Sequence, residues 1–398
     1  MSMLLCMPWC RIDRPYAVDN IEIVPFERDR RIDGLGDLHQ GLVNAIMASY
    51  KTIEGRPVDR AALIRHGDHA IIDDLTDEEL NDVFDVAALE CFSGLAGREF
   101  FNPVGPYCNS DCFNLYAQEF PSADSIALVR RRRESQTMSV WPIDSISITV
   151  PVHCQTVTKV TLDEEMLRGL LAYPAQCAPA EWVRWQNAIS YFNQANTDSN
   201  SIRPQVESVL MVGAFQEVLN VGHEAKEVAR RFSEVLAPKT SLPTSQSQRA
   251  SKRWPSSQEP LRYDWMREFH FIRNDFAHGK LSPVKAPVWT PTEHLVLAAM
   301  AFPLLVKCLL KERGVYSLSD TDHREMDCFE KLADISDFLE RPPDYESSLD
   351  TYSSRLQRDW IAHRYDLDRR IADFSAEESR RAKAGDPYQA RSDAMDEE

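Results

Sequence analysis

The chain has 398 residues and carries 62 acidic side chains against 45 Lys and Arg, a formal charge of −17. That balance opposes nonspecific attraction to a polyanion, so any nucleic-acid surface has to be local. A hydrophobic share of 43% with 8 tryptophans supports cores for two or three domains. The strongest apolar run, Leu295 to Leu310, contains Pro303 and Lys307. It reads as a buried bundle helix, too short to cross a bilayer.

Met1 to Arg11 lacks the basic start and long apolar core of a signal peptide. Nine cysteines in a composition of intracellular type predict reduced thiols and a cytoplasmic protein with no membrane partner. Residues 1–155 read as a mixed α/β domain. Ile21-Glu22-Ile23-Val24 and Ile146 to Val150 have strand patterns, while Leu38 to Tyr50 and Asp77 to Ala96 look helical. No catalytic signature stands out here. A sensing or partner-binding role is assigned to the region by position alone. Cys6 and Cys10 form a C-x(3)-C pair, as do Cys108 and Cys112. They are either a tetrathiolate zinc site or incidental, and because nothing in the sequence joins the pairs, no metal is assigned. His66 and His69 lie in a polar, turn-like segment and read as solvated. Ile126 to Val129 followed by Arg130 to Arg133 looks like a strand running into a turn. This basic run is either a solvated strand end or a local contact for RNA, with Arg131 as its candidate.

Residues 156–315 read as an up-and-down helical bundle. Thr161 and Glu164 suggest a capping box before Leu162, Met166 and Leu170. Trp182, Trp185, Ile189 and Phe192 make the next apolar stripe; Pro204 suits a first helical turn, with Val206, Leu210 and Gly213 along one face. Val228, Phe232 and Val235 continue the pattern. The segment at 238–260, rich in Ser, Pro and Gln, reads as a flexible loop. Its Lys239, Arg249, Lys252 and Arg253 could gather a polyanion. Leu261, Trp265, Phe269, Ile272 and Phe276 then recur at steps of 4, 4, 3 and 4, one face of a helix stopped by Gly279 and Pro283. Thr290 to Glu293 is a second capping box, with Pro291 at the first helical position. Residues 316–374 read as two accessory helices, about 322–340 and 346–374, split by Arg341-Pro342-Pro343 and sparse in apolar positions such as Leu332, Ile335 and Leu339. Residues 375–398 read as a disordered acidic tail. The class expected is α+β, an N-terminal mixed α/β domain followed by an all-α bundle.

The segment Arg273-Asn274-Asp275-Phe276-Ala277-His278 closes the periodic helix. It supplies a fixed cation for a phosphate, a hydrogen-bonding amide and a group that moves protons near neutral pH. His278 falls in the last turn, where the helix dipole favours an imidazolium. His270, Asn274 and His278 stand at i, i+4 and i+8 on one face, with Arg273 about 100° away. These groups suit RNA cleavage in which the substrate 2′-OH attacks its own phosphate, with no metal. Arg273, Asn274 and His278 are the catalytic candidates. His270, Lys280, Lys252, Arg253 and Arg131 are candidates for substrate contact.

The motif resembles the R-(N/D/H)-x(3–5)-H signature of the HEPN superfamily. Upstream, Trp185, Tyr191-Phe192-Asn193-Gln194-Ala195-Asn196, Ile202-Arg203-Pro204 and the run Val209 to Leu219 follow in the order of its ApeA-like branch, found in abortive infection and antiphage defence. That branch often has Glu right after an Ala-Phe pair; here Gln216 stands there and Glu217 follows, so no role passes to either. The likeness covers about residues 180–312. It implies a HEPN-type bundle and an endoribonuclease acting on RNA, with Arg273 at the phosphate, His278 as general acid or base and Asn274 orienting one of them. It also implies 2′,3′-cyclic phosphate products, no cofactor, and a homodimer with a composite active site, in antiphage defence or toxin-like growth arrest set off by a phage-derived or cellular trigger acting on the N-terminal domain. The alternative is a noncatalytic binding or oligomerisation module that partners a nucleotidyltransferase or other effector.

Overall fold

Leu4, Leu5, Cys6 and Met7 are an unbroken apolar run, the pattern of a strand covered on both faces. They form most of β1 (Met3–Met7), which pairs antiparallel with β5 (Arg60–His66), β6 (Ile72–Asp73) and β7 (Tyr116–Glu119). β5 in turn pairs with β3 (Ile21–Glu27), and β3 with β2 (Tyr16–Val18), all antiparallel. β3 shows the expected alternation, with Ile21, Ile23 and Phe26 buried. This computed structural model describes residues 2–339 except 19, 34, 99, 101–107, 121, 123, 128–138, 155–159, 240, 284 and 336–337. Arg131, the expected helix at 346–374 and the tail at 375–398 lie outside the described residues.

The periodic segments of the N-terminal region form α1 (Asp37–Ser49) and α2 (Asp77–Ala96). Thr76 and Glu79 cap α2 reciprocally, and Asp77, Glu78 and Glu79 place negative charge at the positive end of its dipole. Short strands complete the region: β4 (Tyr50–Lys51) runs parallel to β10 (Ile148–Thr149), and β8 (Ser125–Ala127) pairs with β9 (Val140–Pro142).

The helical region holds α3 (Glu164–Ala172), α4 (Pro179–Gln194), α5 (Pro204–Leu219), α6 (Ala225–Val235), α7 (Leu261–Ala277), α8 (Pro291–Glu312) and α9 (Asp320–Asp334). The class is α+β. The change from strands to helices near residue 155 is not a break in packing. α2 carries Phe92 into the bundle, where its ring meets Phe192 edge-on at 5.2 Å and Phe302 at 5.7 Å. Phe192 and Phe302 stack at 4.7 Å, and one apolar core runs from the sheet to α9. Gly94 on α2 lets Phe113 of the N-terminal region pack against the helix, because a Cβ there would overlap that ring.

Several local expectations need correction. Asp163 rather than Thr161 caps α3, accepting from the Met166 N–H, and the helix begins at Glu164. On α5 the buried side is Met211, Val212, Phe215, Val218 and Leu219, while Val206 is half exposed. α8 is 22 residues long, enough to span a bilayer by length. Its burial against neighbouring helices, not its length, makes it a bundle helix. The segment at 238–260 is packed. Thr244, Ser247 and Ala250 are buried, and Arg249 donates to Val288 O at 2.8 Å, to Ile335 O at 2.9 Å and to Glu293 at 2.5 Å. Trp254 stacks on Trp289 at 6.1 Å. Arg249 is therefore committed to the fold and does not gather a ligand. α9 packs on the bundle as well: Arg262 and Glu330 form a buried pair at 3.1 Å, and Lys307 bridges Asp322 at 2.8 Å and Asp163 at 2.7 Å.

Candidate functional site at the end of α7

Leu261, Trp265, Phe269, Ile272 and Phe276 are all buried, so the 4-4-3-4 spacing does set the inner face of α7. The helix ends in a Schellman turn. The Lys280 N–H donates to Asp275 O at 3.1 Å and the Gly279 N–H to Phe276 O at 2.9 Å. Gly279 sits at φ +79°, a conformation suited to glycine. His278 is the C-cap, its backbone N–H bonded to Asn274 O at 3.1 Å, and its side chain is exposed. Among the described residues nothing bonds its ring.

Behind His278 runs a row of polar side chains leading into the core. Arg273 donates through Nη1 to Asn274 Oδ1 at 3.0 Å. With that oxygen taken, Asn274 Nδ2 donates to His270 Nδ1 at 3.3 Å. The Gln216 amide of α5 lies 3.3 Å from His270 Nε2 and 3.4 Å from His223 Nδ1. A neutral imidazole accepts at one nitrogen and donates at the other. His270 therefore carries its proton on Nε2, facing a Gln216 amide turned to present its oxygen. Burial first, then the charges of Arg273 and His223, push the His270 pKa down from 6.5 to about 4. At neutral pH it is an uncharged structural link.

Arg273 and Asn274 are joined by a hydrogen bond and partly exposed, and His278 follows them as the exposed C-cap of the same helix. The substrate-contact candidates fare differently. His270 is 1% exposed, so it cannot touch a substrate; the helical wheel puts it beside Asn274, but α5 covers it. Lys280 is exposed and paired with Asp275 at 2.6 Å, which offsets its charge. Lys252 and Arg253 are exposed, but their segment is tied by Ser257 to Asp264 in the first turn of α7 and by Trp254 to Trp289 ahead of α8. From Asp264 to His278 the helix rises roughly 20 Å, so the two cations stand away from the motif. Sequence reasoning gave no role to Gln216 or His223. Their part in the row depends on α5 crossing α7, and the only local signal was a glutamine directly after the apolar run Val209 to Phe215.

Exposed apolar side chains flank the motif. Phe271 on α7 is 50% exposed and Leu281, just past the turn, 79%. Gln205 donates to Leu281 O at 3.2 Å and so brings the start of α5, with half-exposed Val206, next to this edge.

Burial pushes the Cys6 and Cys108 thiols up to about 12 and raises Cys10 as well, while the hydrogen bond from Cys154 lowers Cys112. Among the described residues no three cysteines bring their sulfurs to ligand spacing. Cys154 donates to Cys112 at 3.3 Å. Comparisons with family models, curated proteins and solved structures find no match to this chain.

Proposed function

We propose that the chain is a HEPN-type endoribonuclease that cleaves RNA to 2′,3′-cyclic phosphate ends. The observation that carries the reading is the end of α7, where an arginine bonded to its amide neighbour is followed at the C-cap by an exposed histidine. Arg273 neutralises the scissile phosphate and the charge that grows on it. His278 takes the proton of the 2′-OH or returns one to the departing 5′-oxygen. Asn274 orients the guanidinium and is itself held by neutral His270. The 2′-oxygen forms the new bond to phosphorus as the 5′-oxygen bond breaks, so proton transfer and charge neutralisation supply what the step requires. One motif offers one histidine, whereas attack and departure each need a proton transfer. A second copy supplies the other across the edge bearing Phe271, Val206 and Leu281, making a homodimer with a composite site. The setting proposed is antiphage defence or toxin-like growth arrest in a cytoplasm.

One observation favours the noncatalytic module instead. Lys280 is paired, and Lys252 and Arg253 stand away from the motif, which leaves few cations to draw RNA. Incubating purified full-length protein with total RNA in EDTA decides between the readings. Wild type is expected to cut and leave cyclic phosphate ends, and Arg273→Ala and His278→Ala are expected to be inactive. RNA bound but uncut by wild type, or equal cutting by all three proteins, overturns the ribonuclease reading.

A further inference from the structure

A second cluster of chemistry-bearing side chains lies where β5 meets α2. His66 is the last residue of β5, and Gly67, at φ +52°, turns the chain so that the His69 N–H bonds back to His66 O at 3.0 Å. Glu79 stands in the first turn of α2, ten residues beyond His69. One ligand atom each from His66, His69 and Glu79 falls within 4.8 Å of the others. The expectation of two solvated histidines therefore fails for His66, which is 9% exposed.

The orientation of each group is that of a metal ligand. His69 Nδ1 bonds Asp73 Oδ2 at 3.2 Å, which holds its proton there, and Nε2 bonds Glu79 Oε1, 3.2 Å away, so Nε2 is the nitrogen that can exchange its proton for a metal. The other Glu79 oxygen accepts from the Thr76 N–H at 2.8 Å and the Thr76 hydroxyl at 2.9 Å, so the carboxylate is fixed and Oε1 is left to face the histidines. His66 Nδ1 is buried, has no hydrogen-bond partner, and points at the same Oε1 from 3.9 Å. On its far side, His66 Nε2 lies 4.0 Å from Asp82 Oδ2, one helical turn after Glu79. Each histidine thus has a carboxylate behind it and its other nitrogen in front. Ligand atoms on a tetrahedral zinc ion with bonds of about 2.0–2.1 Å stand roughly 3.3–3.4 Å apart. The His69–Glu79 spacing already matches, and His66 Nδ1, 3.9 Å from the same Glu79 oxygen, has about 0.5 Å to close on it.

We propose that His66, His69 and Glu79 bind a divalent transition metal of the zinc class, with water completing the coordination. The ion takes the place of a proton shared between His69 Nε2 and Glu79, gives the buried His66 Nδ1 a partner, and ties the end of the sheet to the start of the helix that enters the bundle. Two imidazoles and one carboxylate favour zinc over magnesium or calcium, which prefer all-oxygen sites. The metal is distinct from the cleavage chemistry at α7 and does not depend on that reading.

The test is metal binding by the full chain. Protein stripped of metal is titrated with Zn²⁺ by calorimetry, and Co²⁺ is used as a spectroscopic probe. The expected result is one tight equivalent, visible Co²⁺ bands of a tetrahedral N/O site, and no strong near-ultraviolet thiolate band. Glu79→Gln is the informative variant, because glutamine still completes the Thr76 cap while losing the anionic ligand. It should weaken Zn²⁺ binding at least tenfold with little change in melting temperature without metal, and His69→Ala should abolish the equivalent. No stoichiometric binding by wild type, unchanged binding in both variants, or a thiolate spectrum overturns the proposal.

Discussion

His278→Ala and His270→Ala should separate chemistry from folding, although both remove an imidazole from the same helix. The His278 ring is exposed and has no bond among the described residues, and its backbone, at φ −89°, accepts alanine without strain. Its contribution to stability is then at most the interaction of an imidazolium with the helix dipole, about 0.3–1 kcal/mol. That corresponds to a fall in melting temperature of no more than ~3 °C. A general acid or base is worth about 10²–10⁴ in rate, or roughly 3–5 kcal/mol of barrier, so cleavage should drop by that factor. His270→Ala is the opposite case. It empties a fully buried position and leaves the Asn274 and Gln216 amides without their shared partner, each orphaned group costing about 1–3 kcal/mol. Stability and activity should fall together there. The assay is single-turnover cleavage of a labelled RNA, run beside thermal melts of the three proteins. Cleavage by His278→Ala within twofold of wild type refutes the role assigned to His278. An equal loss of melting temperature in the two variants refutes the exposed, unbonded placement on which the reasoning rests.

The buried His270 also predicts a pH dependence. It stays neutral in the folded protein down to about pH 4, while in the unfolded chain it protonates near 6.5, so its share of stability is full above pH 6.5 and declines as pH falls toward 4. The whole decline amounts to about 3 kcal/mol, and urea midpoints between pH 7 and pH 4.5 should fall less steeply in His270→Gln; identical slopes would refute it. Lys307→Met should cost about 3–5 kcal/mol, because it leaves the carboxylates of Asp163 and Asp322 facing each other without their cation. A urea midpoint unchanged from wild type would show that the bridge contributes nothing. For the composite site, mixing excess His278→Ala protein with wild type should reduce cleavage beyond simple dilution once subunits exchange; strict proportionality to the wild-type fraction would point to a monomeric enzyme.

What the sequence revealed depends on where each partner lies along the chain. The inner face of α7, the stop at Gly279 and the cap at Thr290 involve neighbours within four residues, and periodicity or spacing exposes such relations directly. The segment at 238–260 has the composition of a loop, yet Arg249 holds it through carbonyls 39 and 86 residues away, which no local window can sense. His270 shares a helical face with Asn274 as expected. Whether that face meets solvent or α5 is decided by Gln216, 54 residues earlier. Asp163 displaced Thr161 as a cap because two candidates stood two residues apart and the path of the chain past α2 chose between them. The pairing of His66 and His69 with Glu79 crosses a strand, a turn and a helix start, so spacing alone gave two unconnected histidines.

The α7 site combines opposite demands in a few residues. Phosphate binding rewards a cation whose position is settled before the ligand arrives, since each freely rotating bond frozen on binding costs affinity. The row from Arg273 through Asn274 and His270 to Gln216 settles it, and burial keeps His270 uncharged so that it does not repel the arginine. Proton transfer instead needs a group that reaches solvent and substrate. In the function proposed above that group is His278, placed where the helix has just ended and the side chain is clear of the core. The Schellman turn links the two requirements: it fixes the backbone of His278 relative to Arg273, five residues earlier, while leaving the imidazole itself unbound. A helix continued by one more turn would surround the histidine with neighbours; one ended a turn sooner would cut the arginine off from its amide row. The position of Gly279 therefore carries as much of the proposed chemistry as either charged residue.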